Sequence, residues 1–430
     1  MENKQQSVAL WSLLCFFVPP VSLVLWLVWR KRDKEKDIIT ILKAGCAGLL
    51  VYAFIAIMVI FFYDAFVKIL YILLAIACLL FMVTVHELGH YIAGRLLKFK
   101  ITEFSIGFGL PLFQTTNKRG EKISLRLFPL GGYCAFDGEG DEDNVAKEGS
   151  FNSQRPWKRI IVFLAGVTMN FLTAIVFSLI LLCSVGYDVV QVADTTAKFS
   201  DGYTVSTAGE LEKDDVILCV NGTKIDFAFS STFNELLTKE KNIAEAQVEK
   251  GIIANVEDYD VNLTVRRDGK TIDIVEHFIG HKIGTSEKAT YALGVSAKAY
   301  VFSFWEALAR CIPFAFGLAW VVLKALWQLL TFQMALNQIG GTVTTISVMA
   351  TVTQANPATL LILIPLISAN LAVFNLLPFP ALDGSHVLFT TIEAIRKKPI
   401  DRKIENTIHA VGIIILLLFV VTVDILHFVL

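Results

Sequence analysis

Residues 66–85 form an apolar run broken by one charge, Lys68, and it leads straight into His86-Glu87-Leu88-Gly89-His90. The run is long enough to enter a lipid bilayer. Histidines four positions apart lie one above the other on a helix face, so both imidazoles can converge on one ion. A glutamate beside the first histidine can reach a water held by that ion, and together they make the H-E-x-x-H pattern of a zinc-binding helix. Ionisable groups at membrane depth are expensive and mark function. The competing reading is two histidines packed against a neighbouring helix. It is weakened by a second site far down the chain that offers a further ligand.

The rest of the chain fits a membrane setting. Of 430 residues, 55% are hydrophobic and 18% charged, with a net charge of -1, the profile of a polytopic membrane protein. No basic footprint for nucleic acid is present. Cys15, Cys46, Cys78, Cys134, Cys183, Cys219 and Cys311 form no C-x-x-C pair and read as small buried hydrophobes.

Residues 8–29 are apolar and end in Arg30-Lys31-Arg32, which predicts a retained span with its C-terminal end inside, kinked or turned into a hairpin at Pro19-Pro20. Residues 38–62 predict a second span, and Phe66–Leu97 a third. Residues 98–157 are polar, basic and glycine-rich. Within them Ile101–Phe108 and Lys122–Pro129 alternate as strands, predicting a small hairpin or sheet beside the membrane. Arg155-Pro156-Trp157-Lys158-Arg159 is an interfacial boundary on the inner side, leading into a span over 160–185.

From Asp188 to Lys298 the chain is strand-rich and acidic on balance. Ala208-Gly209-Glu210-Leu211, Asp214-Asp215-Val216-Ile217 and Val220-Asn221-Gly222 give two turns and a hairpin, a pattern similar to the core of a PDZ domain. Residues 239–260 read as an insertion, and an unrelated small β domain is the alternative. Residues 304–330 mix apolar residues and Trp305, Trp320 and Trp327 with Glu306, Arg310, Pro313 and Lys324, predicting an amphipathic helix in the interface. Spans follow at 358–377 and 408–428.

Between these last spans stands Asn375-Leu376-Leu377-Pro378-Phe379-Pro380-Ala381-Leu382-Asp383-Gly384. The two prolines must unwind the chain. Unwound backbone at membrane depth needs a buried or wet surrounding. Asp383 reads as a third metal ligand that leaves a fourth zinc position open, or as the cap of the next helix with Gly384 in the turn.

Taken together, these motifs resemble the site-2 protease family of intramembrane zinc metalloproteases, most closely its bacterial members with a PDZ domain. The resemblance rests on His86-Glu87-Leu88-Gly89-His90, Gly107-Phe108-Gly109, Gly131-Gly132-Tyr133, Trp157-Lys158-Arg159 with Ala165-Gly166 and Asn170-Phe171, and Asn375 with Pro378, Pro380 and Asp383-Gly384. It covers about residues 66–428. It implies zinc (Zn2+) held by His86, His90 and Asp383, and Glu87 as catalytic acid and base. It implies that Asn375 helps hold the substrate backbone, and that the strand near Gly107, Phe108 and Gly109 steadies the unwound substrate. It implies single-pass membrane proteins as substrates, regulated intramembrane proteolysis or clearance of membrane-bound remnants as the task, and a bacterial cytoplasmic membrane as the location. Val167, Ser385 and Gly340-Gly341-Thr342-Val343 depart from the family pattern without touching a ligand.

The predicted fold is a polytopic α-helical membrane protein of about six transmembrane helices, with a membrane-associated β hairpin and an inserted PDZ-like extracytoplasmic domain. Its predicted parts are two N-terminal helices (1–65), a first catalytic segment (66–187), the PDZ-like domain (188–300), an interfacial segment (301–346) and a second catalytic segment (347–430). For Asp383 to share the depth of His86, residues 304–330 must make no net crossing, with both termini outside. Competing functions are an intramembrane metal transporter and a membrane-tethered PDZ scaffold with a structural metal. Glu87 argues against the first; an open coordination position argues against the second. His277 and His281 share the i, i+4 spacing without a glutamate and read as structural, as do His409 and His427. His386, three residues past Asp383, reads as a supporting contact of the site or an unrelated polar residue.

Overall fold

A computed structural model describes residues 11–29 except 13, and 35–139, 149–187, 189–225, 232–282, 289–334 and 340–429. The chain divides into two compact units, Met1–Leu74 and Ala75–Leu430. The first holds helices α1 (Pro19–Trp29) and α2 (Glu35–Phe61) and the opening turns of α3 (Tyr63–Leu96). Among the described residues, the first apolar run is not one continuous helix: it breaks at Val18, and α1 has 11 residues. The helix is interrupted just ahead of Pro19-Pro20, which favours a break because a proline ring disfavours helical geometry at the residue before it.

Six helices among the described residues are long and apolar enough to cross a membrane: Ile39–Ile57, Tyr63–Leu96, Pro156–Ser184, Phe304–Leu330, Pro357–Leu376 and Arg402–His427. The number matches the sequence expectation, but the membership differs. Residues 8–29 drop out, and 304–330 enters.

After α3 the chain forms β1 (Ile101–Thr116) and β2 (Lys122–Phe136), longer than the strands predicted from alternation. Both bend back on themselves. Residues 101–106 pair with 132–136 on one side (Ile101 with Phe136, Phe104 with Cys134) and with 122–125 on the other (Phe104 with Ile123, Ser105 with Ser124). Residues 111–116 pair with the far edge of 122–126. The bends fall at Gly107, Gly109 and Gly131, all with positive φ, a region that side chains disfavour. Glu103 ties the sheet together by accepting from Ser124 Oγ (2.6 Å) and Arg126 (2.7 Å).

Helix α4 (Pro156–Ser184) is the axis of the second unit. Proline at its first position suits a helix start, where the missing N–H is not needed. It leads into the strand-rich segment. There β3 (Val190–Asp194), β6 (Val216–Val220), β8 (Asp260–Arg267), β9 (Lys270–His277) and β12 (Ser296–Ala299) form one sheet in the order β12-β3-β6-β8-β9, with β7 (Thr223–Lys224) on β6. Two hairpins flank it: β4 (Thr196–Lys198) with β5 (Thr204–Ser206), and β10 (Ile279–His281) with β11 (Thr290–Ala292). Helix α5 (Phe233–Glu249) starts on a capping box in which Thr232 and Glu235 satisfy each other's backbone N–H. Residues 239–260 are therefore not an appended insertion. Phe233, Leu236, Ala244 and Val256 join Ile217, Val261, Leu263 and Val265 in one apolar core.

Helix α6 (Phe304–Leu330) is long and apolar enough to cross a membrane and packs against its neighbours along its length. Ala307 and Cys311 pack with Leu182, and Phe314, Ala315 and Leu318 with Ala174, Leu181 and Ala369. Its apolar stripe lies along α4 and the later helix α8 (Leu360–Leu376). Two of the charges that suggested an interface, Glu306 and Arg310, sit at its start and have partners. Glu306 pairs with Arg266 of β8 at 3.1 Å, and Arg310 lies over the Phe302 ring. Helix α7 (Thr342–Ala355) begins where Asp424 accepts the Val343 and Thr344 N–H groups (3.1 and 2.9 Å), a carboxylate at a helix N-terminus.

Helix α9 (Asp383–Arg396) and helix α10 (Arg402–Val429) complete the unit. A buried ion network joins them to α4: Glu393 pairs with Arg159 at 2.8 Å and Arg402 at 2.7 Å, and Arg402 with Glu405 at 2.6 Å. The basic boundary at 155–159 thus does more than face the interface. Arg159 pins the far end of the helix whose first residue is Asp383.

Candidate metal centre and its surroundings

The last turns of α3 carry His86 and His90, which are 6% and 7% exposed, so their polar nitrogens must find partners. His90 Nδ1 faces the Val162 carbonyl oxygen of α4 at 2.8 Å. A carbonyl only accepts, so Nδ1 carries the proton and Nε2 keeps a lone pair. His90 Nε2 lies 3.2 Å from His86 Nε2. Asp383 Oδ2 lies 3.0 Å from the first histidine's Nε2 and 3.3 Å from the second's. That oxygen is buried and makes no conventional hydrogen bond. Two imidazole nitrogens and one carboxylate oxygen converging at these distances repel one another unless a cation or protons stand between them. The set fits a zinc ion, whose protein ligands at catalytic sites number three.

The approach of α3 to α4 depends on glycine. A Cβ at Gly89 would run into the Ala165 carbonyl, and one at Gly166 would lie 2.5 Å from His90 Nε2 and 2.8 Å from His86 Cε1. Both imidazoles therefore lie against bare backbone.

Asp383 reaches the histidines because α8 stops. Leu377 leaves the helix and residues 378–382 run as turns, with Ala381 at φ +85°. The segment is held from α10: the Ala381 N–H donates to His409 Nδ1 at 3.1 Å, and Gly412 lies against Pro380. Gly384 sits so close to the Leu376 and Leu377 carbonyls that a side chain would collide. Asp383 is the first residue of α9, but the cap position is Leu382 and no side chain caps the helix, so the capping reading does not hold.

A cavity of about 230 Å³ opens on this cluster, lined by Val83, His86, Glu87, Phe108, Gly131, Gly132, Asn170, Leu371, Asn375, Ala381 and Asp383. Glu87 lies against Gly132 of the strand 132–136. Asn375 and Phe108 share the cavity, as the resemblance implies. Gly107 and Gly109 flank Phe108 at the bend and are not among its lining residues.

A second group of possible ligands, His386, Glu405 and His409, lies nearby. It does not suit a metal. His409 Nδ1 accepts from Ala381, so the neutral ring carries its proton on Nε2, and Glu405 is paired with Arg402. His386 stacks between Phe163 and His409, with centroids 4.9 and 4.0 Å away. Burial and the neighbouring His409 push its pKa down to about 4, so the ring is neutral. His277 and His281 stay in the strand-rich segment, beside Asp260 and Asp201. His409, structural by the sequence reading, holds the unwound segment. The sequence reading assigns no role to Asn170, 3.3 Å from His86 Nδ1. Its place in a helix that packs on the H-E-x-x-H turn was the available signal.

Residues 74–419 match the model of peptidase family M50. This chain belongs to that family, the site-2 proteases. A protein of Clostridium perfringens named as a zinc metalloprotease is 31% identical over 364 residues, covering 83% of this chain and 98% of its own length. One of Fusobacterium nucleatum, also named as a zinc metalloprotease, is 29% identical, covering 82% and 97%. A chloroplastic protein of Arabidopsis thaliana, named as a membrane metalloprotease, is 31% identical, covering 82% and 79%. The chain is a multi-pass membrane zinc metalloprotease.

Proposed function

We propose that this M50 protease hydrolyses peptide bonds within or beside the transmembrane segments of single-pass membrane proteins. His86, His90 and Asp383 hold the zinc. The observation that carries the reading is that these three side chains, from two distant segments, meet beside Glu87 in a cavity bordered by a strand edge. When bound there, zinc supplies Lewis acidity toward a scissile carbonyl and toward water. Glu87 takes the proton of the attacking water and delivers it to the leaving amine. Asn375 donates to the substrate backbone.

A transmembrane helix hides its peptide bonds in its own hydrogen bonds, so the substrate unwinds and the strand 132–136 pairs with it as an added strand. Phe108 and Gly131 shape that edge. The segment 188–300 is a PDZ-like domain that screens substrates on the outer face of a bacterial cytoplasmic membrane. The task is regulated intramembrane proteolysis or clearance of remnants left by an earlier cut. A transport site has no need of a base one residue from a ligand, and a structural metal has no need of a cavity. The test is Glu87→Gln protein, assayed for zinc and for cleavage of a model transmembrane substrate. Zinc should stay at about one per chain while cleavage falls about 10²–10⁴-fold. A variant that cleaves at the wild-type rate defeats the mechanism.

A further inference from the structure

Val162, Gly166 and Asn170 are spaced four residues apart on α4 and so share one face of the helix. Each meets the histidine pair. The Val162 carbonyl accepts from His90 Nδ1, Gly166 lies against both rings, and the Asn170 amide lies 3.3 Å from His86 Nδ1. Asn170 is fully buried, and its Oδ1 has no hydrogen-bond partner. Its backbone is anchored as well, because Ser368 Oγ of α8 donates to the Asn170 carbonyl at 2.9 Å.

We propose that Asn170 is the positioning residue for His86. Its side-chain carbonyl accepts the His86 Nδ1–H and so fixes Nε2 as the ligand atom. This inference rests on the ligand set proposed above. The reason is a proton count. His86 Nε2 faces Asp383 and His90 and must offer a lone pair to bind zinc. The ring proton then sits on Nδ1 and needs an acceptor. His90 finds a backbone carbonyl for this; His86 has the Asn170 amide. With Nδ2 toward the ring, two N–H groups would oppose each other. A half-turn of the amide exchanges Nδ2 for the unpartnered Oδ1 and removes the conflict. Without zinc the opposite pairing is available: Nδ2 donates to a bare Nδ1 while Nε2–H faces Asp383. Asn170 therefore serves both neutral tautomers of the ring, which a backbone carbonyl cannot do. Zinc-bound histidines are commonly held by such an outer partner.

The test uses full-length protein in detergent, with zinc affinity measured by chelator competition and the metal-free melting temperature measured in parallel. Asn170→Leu keeps the shape but removes the acceptor; Asn170→Asp keeps an acceptor in either orientation. The expected result is zinc affinity about 10–100-fold weaker in Asn170→Leu and close to wild type in Asn170→Asp. The cobalt-substituted Asn170→Leu protein should also show an altered visible spectrum. Wild-type affinity in Asn170→Leu overturns the proposal, and so does an equal loss in both variants, which would mark a packing role. His86→Ala is the control for the ligand set. If that variant retains zinc, the ligand assignment fails first and this inference fails with it.

Discussion

The metal centre and the strand-rich segment keep buried charge in opposite ways. In the segment 189–302 the core is largely apolar, and its three buried carboxylates are each met by a neighbouring donor: Glu276 by Thr207 and the Leu211 N–H, Glu240 by Asn221 and Tyr259, and Asp215 by an arginine at the surface. Asp215 is fully buried and held by Arg267, whose side chain is a quarter exposed. Around the metal centre the buried side chains are polar and the close contacts are made by glycine. His86, His90 and Asn170 are buried, with Gly89 and Gly166 between the helices. A water-soluble core gains stability from apolar burial, about 1.5–3 kcal/mol per large side chain. Helices in lipid gain nothing from hiding apolar surface, so their packing relies on small residues and interhelical polar contacts. The metal centre should therefore be sensitive in chemistry, and the strand-rich segment in stability.

The sharpest way to break that contrast is at the ligands. His86→Ala or Asp383→Ala should lose most bound zinc, measured by elemental analysis. Full retention in Asp383→Ala would remove that residue from the site. Next in size is Gly166→Ala. The added methyl has no room beside the rings, so activity should fall on the order of 100-fold through misplaced histidines, with little loss of thermal stability.

In the strand-rich segment the order reverses. Leu263→Ala, at a fully buried position, should cost about 2–5 kcal/mol, read as faster hydrogen exchange across β6, β8 and β9, with zinc content unchanged. Arg267→Met should cost toward the low end of ~3–5 kcal/mol, because it strands Asp215 while Arg267 itself is partly exposed. A drop in zinc content in either variant would show that the two regions are not independent. The smallest effect concerns Asp201. The His281 hydrogen bond holds its carboxyl below the usual range. The contact is therefore stabilising above the ordinary carboxylate value and is lost as pH falls through the folded one. Asp201→Asn should loosen the β4–β5 hairpin at neutral pH and match wild type once the pH is below both values, by hydrogen exchange.

Much of the site was legible because its chemistry is local in sequence. The i, i+4 histidines share a face by helix geometry alone, and the prolines at 378 and 380 announce the break that frees Asp383. The strands at 101 and 122 were legible in alternation, but their bending was not. It depends on Gly107, Gly109 and Gly131 adopting positive φ together. The helix at 233–249 overlaps residues 239–260, which read as an insertion, so the role of its apolar residues is not legible in the sequence. Only the sheet it packs against shows why they are spaced as they are.

The sequence by itself determined the membrane class, the helix that carries the H-E-x-x-H pattern and the residue types that can hold zinc, since these follow from local periodicity and side-chain chemistry. The tertiary structure decided the rest. It brings Asp383 to within 3.0 Å of a histidine nearly three hundred positions earlier, and places Glu87 at a strand edge. It turns 304–330 into a packed helix, and sets Asn170 and His409 behind the reacting groups. Those facts depend on which helix faces which. Helix pairing is settled by small residues, buried charges and unwound segments acting across the whole chain, and no local pattern encodes it.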